Sequence, residues 1–398
     1  MTKLGTIKNS NILLLQSPIG NFFNELADFL SVSNNKVFSL ILNGGDLFYS
    51  NNKRKVIYTD SIDNFSNFIL DFFRLRNIKY IFLFGDTRLY HEKAIKIAKT
   101  LGIVVYVFEE GYLRPHFVTL EKNGVNNLST YFKNIDLSKL NYSEDYSEII
   151  NKDNKLKYVF RITIFKTFIY YLMLFLYSFK FKNYIHHREK SLYYNIKYFI
   201  KGSFKYIYFK YIESNKIKSF CNNNTFFFVP LQLDFDSQVQ KHSKYDNIEE
   251  FLDEIIKSFK LNSLQNDKLL IKLHPYSLGY KDYELFLNKL VAKYDLKERV
   301  FYIRTGDVGF IIKKSKGVVT INSTVGLSTL YHKKPLKIMG DSIYDIIDIS
   351  DNKHIDMFWK EPCVGNFKLI ENFLLEIFYK SQFKGSFYKD NTINLRRY

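Results

Sequence analysis

The stretch EEGYLRP, residues 109–115, sets two carboxylates side by side at the end of an apolar run. A carboxylate at the edge of a core is normally paired or used. Beside an anomeric carbon, an ionised carboxylate acts as nucleophile or stabilises an oxocarbenium-like state. Neighbouring strand residues point to opposite faces, so only one of Glu109 and Glu110 needs to face a site while structure holds the other. The alternative is that both sit in ion pairs with nearby Arg or Lys, Arg114 being one such cation. Six more polar clusters follow apolar runs: QSPIGN (16–21) with Gly20, NGGD (43–46) with Asn43 and Asp46, GDTRLYH (85–91) with Asp86, Arg88 and His91, PLQLDFDSQVQKHS (230–243) with Gln232, Asp236 and Ser237, KLHP (272–275) with Lys272, His274 and Pro275, and NSTVGLS (322–328) with Asn322, Ser323 and Thr324. One such ending is a turn or a helix cap; seven in register ask for more than folding.

Two of these clusters suit an anion. Asn322, Ser323 and Thr324 open a predicted helix, whose N-terminal N–H groups and added hydroxyls bind phosphate; an ordinary N-cap at Ser323 is the alternative. His274 ends a strand with Lys272 two residues back on the same face, and a His there donates to a phosphate oxygen unless it is a satisfied structural group. There is no GxGxxG and no P-loop. The two cysteines, Cys221 and Cys363, have no CxxC or Cys/His spacing, so no metal site is expected.

The elements that must carry these residues alternate. Strands are predicted at 11–16, 36–42, 78–86 and 103–111, with helices at 20–32, 61–77 and 88–102 between them. The pattern resumes with strands at 225–232, 268–275, 299–304, 317–322 and 334–340 and helices at 247–260, 282–295, 307–315 and 323–332. Continuously apolar strands alternating with helices indicate α/β halves, each a parallel sheet covered on both faces, with a cleft expected at the carboxyl ends of the strands. Ile12–Leu15 is too short an apolar run for a signal peptide and reads as a first buried strand.

Between the halves the chain changes character. Residues 152–218 hold fifteen Lys plus Arg against three acids, around the apolar stretch 162–179. Eighteen residues reach the threshold of a membrane span. With Lys166, Lys180 and Lys182 in or beside it, an interfacial helix on anionic lipid fits better, an ordinary buried helix being the alternative. The whole chain of 398 residues carries a net charge of +18, which attracts anionic partners. A nucleic-acid binder is disfavoured because the basic residues concentrate in one apolar insert without a recognition motif. The 39 Phe and 31 Tyr accompany many Lys, Asn and Ile, a compositional bias that argues against reading single aromatic residues as functional.

The segments LLLQSPIGNFFNELADFL, NGGD, FGDTRLYHEKAIKIA, VFEEGYLRPHFVTLEKNGVN, FVPLQLDFDSQVQKHS, IKLHP, GVVTINSTVGLSTLYHKKPLKIMG and FWKEP, in this order, resemble the bacterial capsule polysaccharide biosynthesis family, of the KpsS/LipB type. The resemblance implies a GT-B glycosyltransferase with two Rossmann-like domains facing a cleft: residues 1–150 on the acceptor side, a basic membrane-associated insert at 151–220, residues 221–375 on the CMP-sugar side, and 376–398 packing back on the first domain. It further implies a retaining, metal-independent β-Kdo transferase without cofactor. That enzyme takes CMP-Kdo and an anionic acceptor, lyso-phosphatidylglycerol or phosphatidylglycerol, at the cytoplasmic face of the inner membrane, near other capsule synthesis and export proteins. EEGYLRP resembles the EDGFLRS of related Kdo transferases, which makes Glu110 the counterpart of a nucleophilic aspartate. By the same resemblance Lys272, His274, Pro275, Asn322, Ser323 and Thr324 hold the nucleotide. Gly20, Asn43, Asp46, Asp86, Gln232, Asp236 and Ser237 serve donor or acceptor, and Arg88, His91 and Arg114 are cations for the Kdo carboxylate or acceptor phosphate. Rival readings are a Kdo-chain-extending or other CMP-sugar transferase, and a non-catalytic subunit of capsule assembly.

Overall fold

The computed structural model describes residues 4–114, 116–147, 159–186, 192–234 and 237–395. The chain forms two compact units: Met1–Ile135, Glu144–Leu192 and Leu375–Tyr398 make unit 1, and Asp136–Ser143 with Tyr193–Leu374 make unit 2.

Unit 1 is built on β1 (Asn11–Leu15), α1 (Phe22–Ser31), β2 (Lys36–Ile41), α2 (Gly44–Tyr49), β3 (Lys55–Ile57), α3 (Phe65–Leu75), β4 (Ile78–Phe84), α4 (Leu89–Thr100), β5 (Val104–Glu110), β6 (Phe117–Lys122), α5 (Val159–Leu176) and, from the C-terminal segment, β12 (Gln382–Lys384). Its sheet runs β12-β6-β5-β4-β1-β2-β3. The strands from β3 to β5 are parallel. A wholly parallel sheet was expected; β6 instead runs antiparallel to β5, and β12 antiparallel to β6. The link between β5 and β6, residues 111–116, is too short for a parallel crossover, which needs a dozen residues or more.

Alternation along each strand feeds two cores. Leu13, Leu15, Ile81, Leu83, Val105 and Val107 pack with α3 and α4 on one face. Ile12, Leu14, Phe82, Tyr106 and Phe108 pack with α1 and the C-terminal segment on the other. Phe387 of that segment meets Phe22 at 5.1 Å between ring centres and is almost fully buried. One such ring removed from water is worth about 1.5–3 kcal/mol, which ties residues 382–395 to the sheet.

Unit 2 contains α6 (Leu192–Asn223, all but its first residue), β7 (Phe226–Pro230), α7 (Ser237–Lys241), α8 (Ile248–Asn262), β8 (Lys268–Lys272), α9 (Glu284–Lys293), β9 (Val300–Ile303), α10 (Val308–Lys314), β10 (Gly317–Thr320), α11 (Val325–Tyr331), β11 (Leu336–Ile338), α12 (Ile355–Lys360) and the start of α13 (Phe367–Ser381). Its five-stranded sheet is parallel throughout, in the order β11-β10-β7-β8-β9.

Both sheets therefore share one plan. Each first strand is central, the next two lie to one side, and the chain then crosses to the other side. Such a Rossmann-like reversal opens a crevice at the carboxyl ends of the two strands that flank it. In unit 1 these are β1 and β4; in unit 2, β7 and β10. The basic segment 151–220 is not a body of its own. Its first described helix, α5, belongs to unit 1 and starts three residues earlier than expected, whereas nearly all of α6 belongs to unit 2.

Candidate functional site

In unit 1 the expected polar residues gather at the carboxyl ends of β1, β2, β4 and β5. β4 is followed directly by Gly85, whose φ of +75° turns the chain toward α4. The turn sets Asp86 and Arg88 beside the reversal point. Arg88 lies over the Phe84 ring, 4.9 Å from its centre, and is half-buried. It forms no salt bridge among the described residues, yet its charge acts on Asp46, His91 and Glu109.

The two glutamates separate as strand alternation requires. Glu109 shares the face of Val105 and Val107 and lies by Gly85, its Oε2 3.5 Å from the point where a Cβ of that glycine would be. Its Oε1 accepts the N–H of Glu110 at 3.0 Å. Burial, first of all, and the nearby carboxylates push its carboxyl up to about 7. Glu110 shares the opposite face with Tyr106 and Phe108, and its Oε1 accepts the Tyr388 hydroxyl at 2.9 Å. Neither glutamate forms a salt bridge with a described cation. Arg114, expected as a possible partner, is exposed and donates through Nε to the Gly111 carbonyl at 3.2 Å.

Asn43 and Asp46 lock the start of α2. Asn43 Oδ1 accepts the Asp46 N–H at 3.0 Å, and its Nδ2 donates to Asp46 Oδ2 at 2.9 Å. Tyr170, from α5, donates to Asp46 Oδ1 at 3.2 Å and accepts from Asn43 Nδ2 at 3.0 Å. Burial drives the Asp46 carboxyl up to about 7 against the opposing pull of Arg88. Asp86 Oδ2 takes the Val125 N–H at 3.0 Å, fastening the loop after β6, and burial raises its pKa. Gly20, at φ +120°, lies against the Phe387 carbonyl.

One expected cation is absent. His91 is fully buried, its Nδ1 2.6 Å from the Gly85 carbonyl, and burial together with Arg88 holds its pKa down to about 3. An imidazole in that state is neutral at physiological pH, so it supplies no charge to a carboxylate or phosphate. It instead braces the turn that carries Arg88.

In unit 2 the reversal point is bridged by side chains. Gln232 Nε2 donates to Asn322 Oδ1 at 2.9 Å, and Gln232 Oε1 accepts the Asn322 N–H at 3.1 Å. Asn322 Nδ2 donates to the His242 carbonyl at 3.1 Å. Both amides are buried and hold the ends of β7 and β10 together rather than lying open to a ligand. Ser323 Oγ accepts the Val325 N–H at 3.3 Å, while Thr324 occupies the cap position of the seven-residue α11. The cap expected at Ser323 falls one residue later. One strand away, His274 Nδ1 accepts the Tyr276 N–H at 3.2 Å, so the neutral ring carries its proton on Nε2. Pro275 follows at the start of a short 3-10 turn. Lys272 is buried, donates to the Leu273 carbonyl at 3.2 Å, and is pushed down to about 8 by burial, opposed by Glu213. Asp236 and the side chain of Ser237 lie outside the described residues.

Aromatic residues complete the unit 1 site and were missed. Tyr170 and Tyr388 contact Asp46 and Glu110, and Tyr184 accepts from Gln16 Nε2 at 2.8 Å. Each comes from a distant part of the chain, and none stands out in a sequence so rich in Tyr. No group of three or more His, Cys, Asp or Glu able to hold a metal occurs among the described residues.

Two Rossmann-like units, each with polar side chains massed at its topological reversal, define an α/β protein of two nucleotide-fold halves. The sequence profile described as capsule polysaccharide biosynthesis protein matches residues 79–388. The chain belongs to that family. It is 31% identical over 385 residues to the capsule polysaccharide export protein KpsS of Escherichia coli, covering 96% of this chain and 98% of that one. It is 32% identical over 387 residues to the capsule polysaccharide modification protein LipB of Neisseria meningitidis serogroup B, covering 95% and 91%. Among solved structures, the β Kdo 2,4 transferase of Thermosulfurimonas dismutans KpsC aligns over 92% of this chain and 91% of its own, at 12% identity and a TM-score of 0.45.

Proposed function

We propose that the protein is a retaining β-Kdo glycosyltransferase of the GT-B kind, moving Kdo from CMP-Kdo to lyso-phosphatidylglycerol or phosphatidylglycerol to start the linker of a capsular polysaccharide. The observation that carries the reading is in unit 1. A half-buried arginine without a salt bridge among the described residues follows β4 at the reversal point, near Glu109 at the end of the neighbouring β5, where Glu110 is the next residue. Family membership supplies the capsule context, and the likeness of EEGYLRP to EDGFLRS supplies the sugar.

In this reading the Glu110 carboxylate attacks the anomeric carbon of Kdo. The bond from that carbon to the CMP phosphate breaks, and its electron pair leaves with CMP. Arg88 takes the Kdo carboxylate, an ion pair with a planar fork geometry that lysine lacks. The nucleotide is assigned, by the resemblance of KLHP and NST, to His274, Ser323 and Thr324 of unit 2, where the His274 Nε2–H and the two hydroxyls are available as phosphate donors. A glycerol hydroxyl of the lipid then displaces Glu110, which leaves as its carboxylate, and the hydroxyl proton passes to water. Two inversions leave the configuration retained. No cofactor takes part. The enzyme works as a peripheral protein at the cytoplasmic face of the inner membrane, close to other capsule proteins.

The test is direct. Wild-type protein with CMP-Kdo and a fluorescent lyso-phosphatidylglycerol should give a product one or a few Kdo units heavier by mass, the count separating initiation from chain extension. Glu110→Gln should lose about a thousandfold or more in transfer and still bind CMP, as expected for a removed nucleophile. Full transfer by that variant ends the assignment.

A further inference from the structure

α5 is apolar all round, and only one of its sides is covered. Tyr170 and Tyr171 are buried, and the helix meets α2 at Gly44 and Gly45. A Cβ on Gly44 would stand 2.3 Å from the Met173 carbonyl, and one on Gly45 2.4 Å from the Tyr170 ring. Only glycines allow this approach. The opposite side carries positions 161, 165, 168, 172, 175 and 176, which fall on one helix face by their three- and four-residue spacing. There Phe165 is 65% exposed, Phe168 49%, Phe175 61% and Leu176 50%, and Phe179 just past the helix end is 78% exposed. An apolar helix face is normally buried, and bare patches of this kind mark interaction surfaces.

Charge identifies the occupant. Residues 154–188 contain seven Lys plus Arg (155, 157, 161, 166, 180, 182 and 188) and no acid. Arg161 on the bare face, and Lys180 and Lys182 in the turns just past the helix end, are exposed. Lys166, on the covered side, pairs with Asp390 at 2.5 Å. Basic side chains flanking an aromatic stripe complement an anionic lipid surface, where apolar residues enter the acyl boundary and cations meet phosphates. No helix among the described residues is long and apolar enough to cross a membrane.

We infer that the outward face of α5 from Arg161 onward, together with the turns that follow it as far as Lys182, is seated in the headgroup layer of an anionic bilayer. Phe165, Phe168, Phe175, Leu176 and Phe179 reach the acyl chains, and Arg161, Lys180 and Lys182 contact lipid phosphates. This deepens the lipid-acceptor reading and rests on it only for its purpose. Because Tyr170 on the far side of the same helix donates to Asp46, the bilayer surface lies about one helix diameter, roughly 10 Å, from the strand-end cluster of unit 1.

The experiment uses the full chain and no sugar donor. The protein is sedimented with vesicles of phosphatidylcholine alone or of phosphatidylcholine mixed with phosphatidylglycerol. Wild type should pellet with the mixed vesicles and stay in solution with the neutral ones. The triple variant Phe168→Ser, Phe175→Ser, Phe179→Ser should bind the mixed vesicles about tenfold or more weakly, and Lys180→Glu with Lys182→Glu should lose the preference for them. Leu75→Ser with Leu285→Ser, equally exposed elsewhere, should bind as wild type. Trp359, the sole tryptophan, is fully buried, so Phe175→Trp adds a reporter whose emission should shift to shorter wavelength on mixed vesicles only. Unchanged binding by the triple variant overturns the inference, as does equal binding to neutral vesicles. So does a wild-type dimer that the triple variant dissolves, which would make a second copy of the chain the occupant. Vesicle binding needs no catalysis: a protein that binds but transfers no Kdo loses the enzyme reading alone, and one that transfers to soluble acceptor without binding loses this inference alone.

Discussion

Tyr388 and His91 show how single residues set the unit 1 site. The Tyr388 hydroxyl donates to Glu110 and fixes the orientation of its carboxylate. Tyr388→Phe should lower the transfer rate about tenfold with little change in the KM for CMP-Kdo, since one hydrogen bond to a charged group is worth about 1.5–3 kcal/mol. An unchanged rate would show that Glu110 needs no such support. His91 acts through stability. The unfolded chain binds a proton at this residue near pH 6.5, whereas the folded chain refuses it until about 3. Stability is therefore lost as pH falls through that window, by up to about 1.4 kcal/mol per pH unit. Asp46 and Glu109 carry the opposite sign: held up to about 7, they stay protonated in the folded chain where the unfolded chain has ionised, so their contribution falls as pH rises above about 4. Comparing His91→Gln with wild type cancels those acids. The variant keeps a donor for the Gly85 carbonyl without a titrating ring, and its denaturant midpoint should drop less between pH 7 and 5 than that of wild type. Equal drops would show that His91 is not buried neutral.

Elements follow from what each connection allows. Apolar runs separated by helical spacing placed nine strands close to their observed positions, because a strand buried on both faces leaves an unbroken apolar signature. β3 escaped because its three residues are largely exposed and leave no apolar signature, and β12 because its three residues pair with β6 from more than 250 residues away. β6 was legible in principle: FVTLEK is almost wholly buried, but no helix precedes it to mark it off from EEGYLRP. The strand-end position of the site could be read for the same reason as the strands. Which glutamate meets which partner could not, because Tyr388 stands 278 residues from Glu110 and reaches it only through the Phe387 anchor. The packing of α5 on α2 was likewise invisible, as it depends on two glycines that read as a loop. Gly44→Ala should unseat α5, since the new methyl meets main chain that cannot yield. A loss of about 1–3 kcal/mol in urea unfolding is expected, with faster proteolysis within 159–186. If Gly44→Ala is as stable and as protease-resistant as wild type, the helix does not dock there.

At the scale of the whole molecule, charge and topology have separate jobs. Each unit repeats the same strand order without recognisable sequence repetition, so the reversal points are set by connectivity and not by a shared motif. The net charge of +18 has no part in that plan. It acts on partners, and its reach depends on salt: the screening length is about 10 Å at 0.1 M and about 3 Å at 1 M. If the excess charge serves to hold the protein on an anionic surface, salt should weaken transfer to acceptor embedded in phosphatidylglycerol vesicles much more than transfer to a short-chain acceptor free in solution. The two rates should diverge by about tenfold between low salt and 0.5 M, as for binding through several surface cations that each contribute about 1 kcal/mol. The soluble reaction serves as the internal standard, because in the proposed reaction the donor would meet Arg88, whose half-buried setting weakens screening. Parallel decline of both rates would place the salt-sensitive step at the donor site and leave the charge of the remaining surface without a role in catalysis.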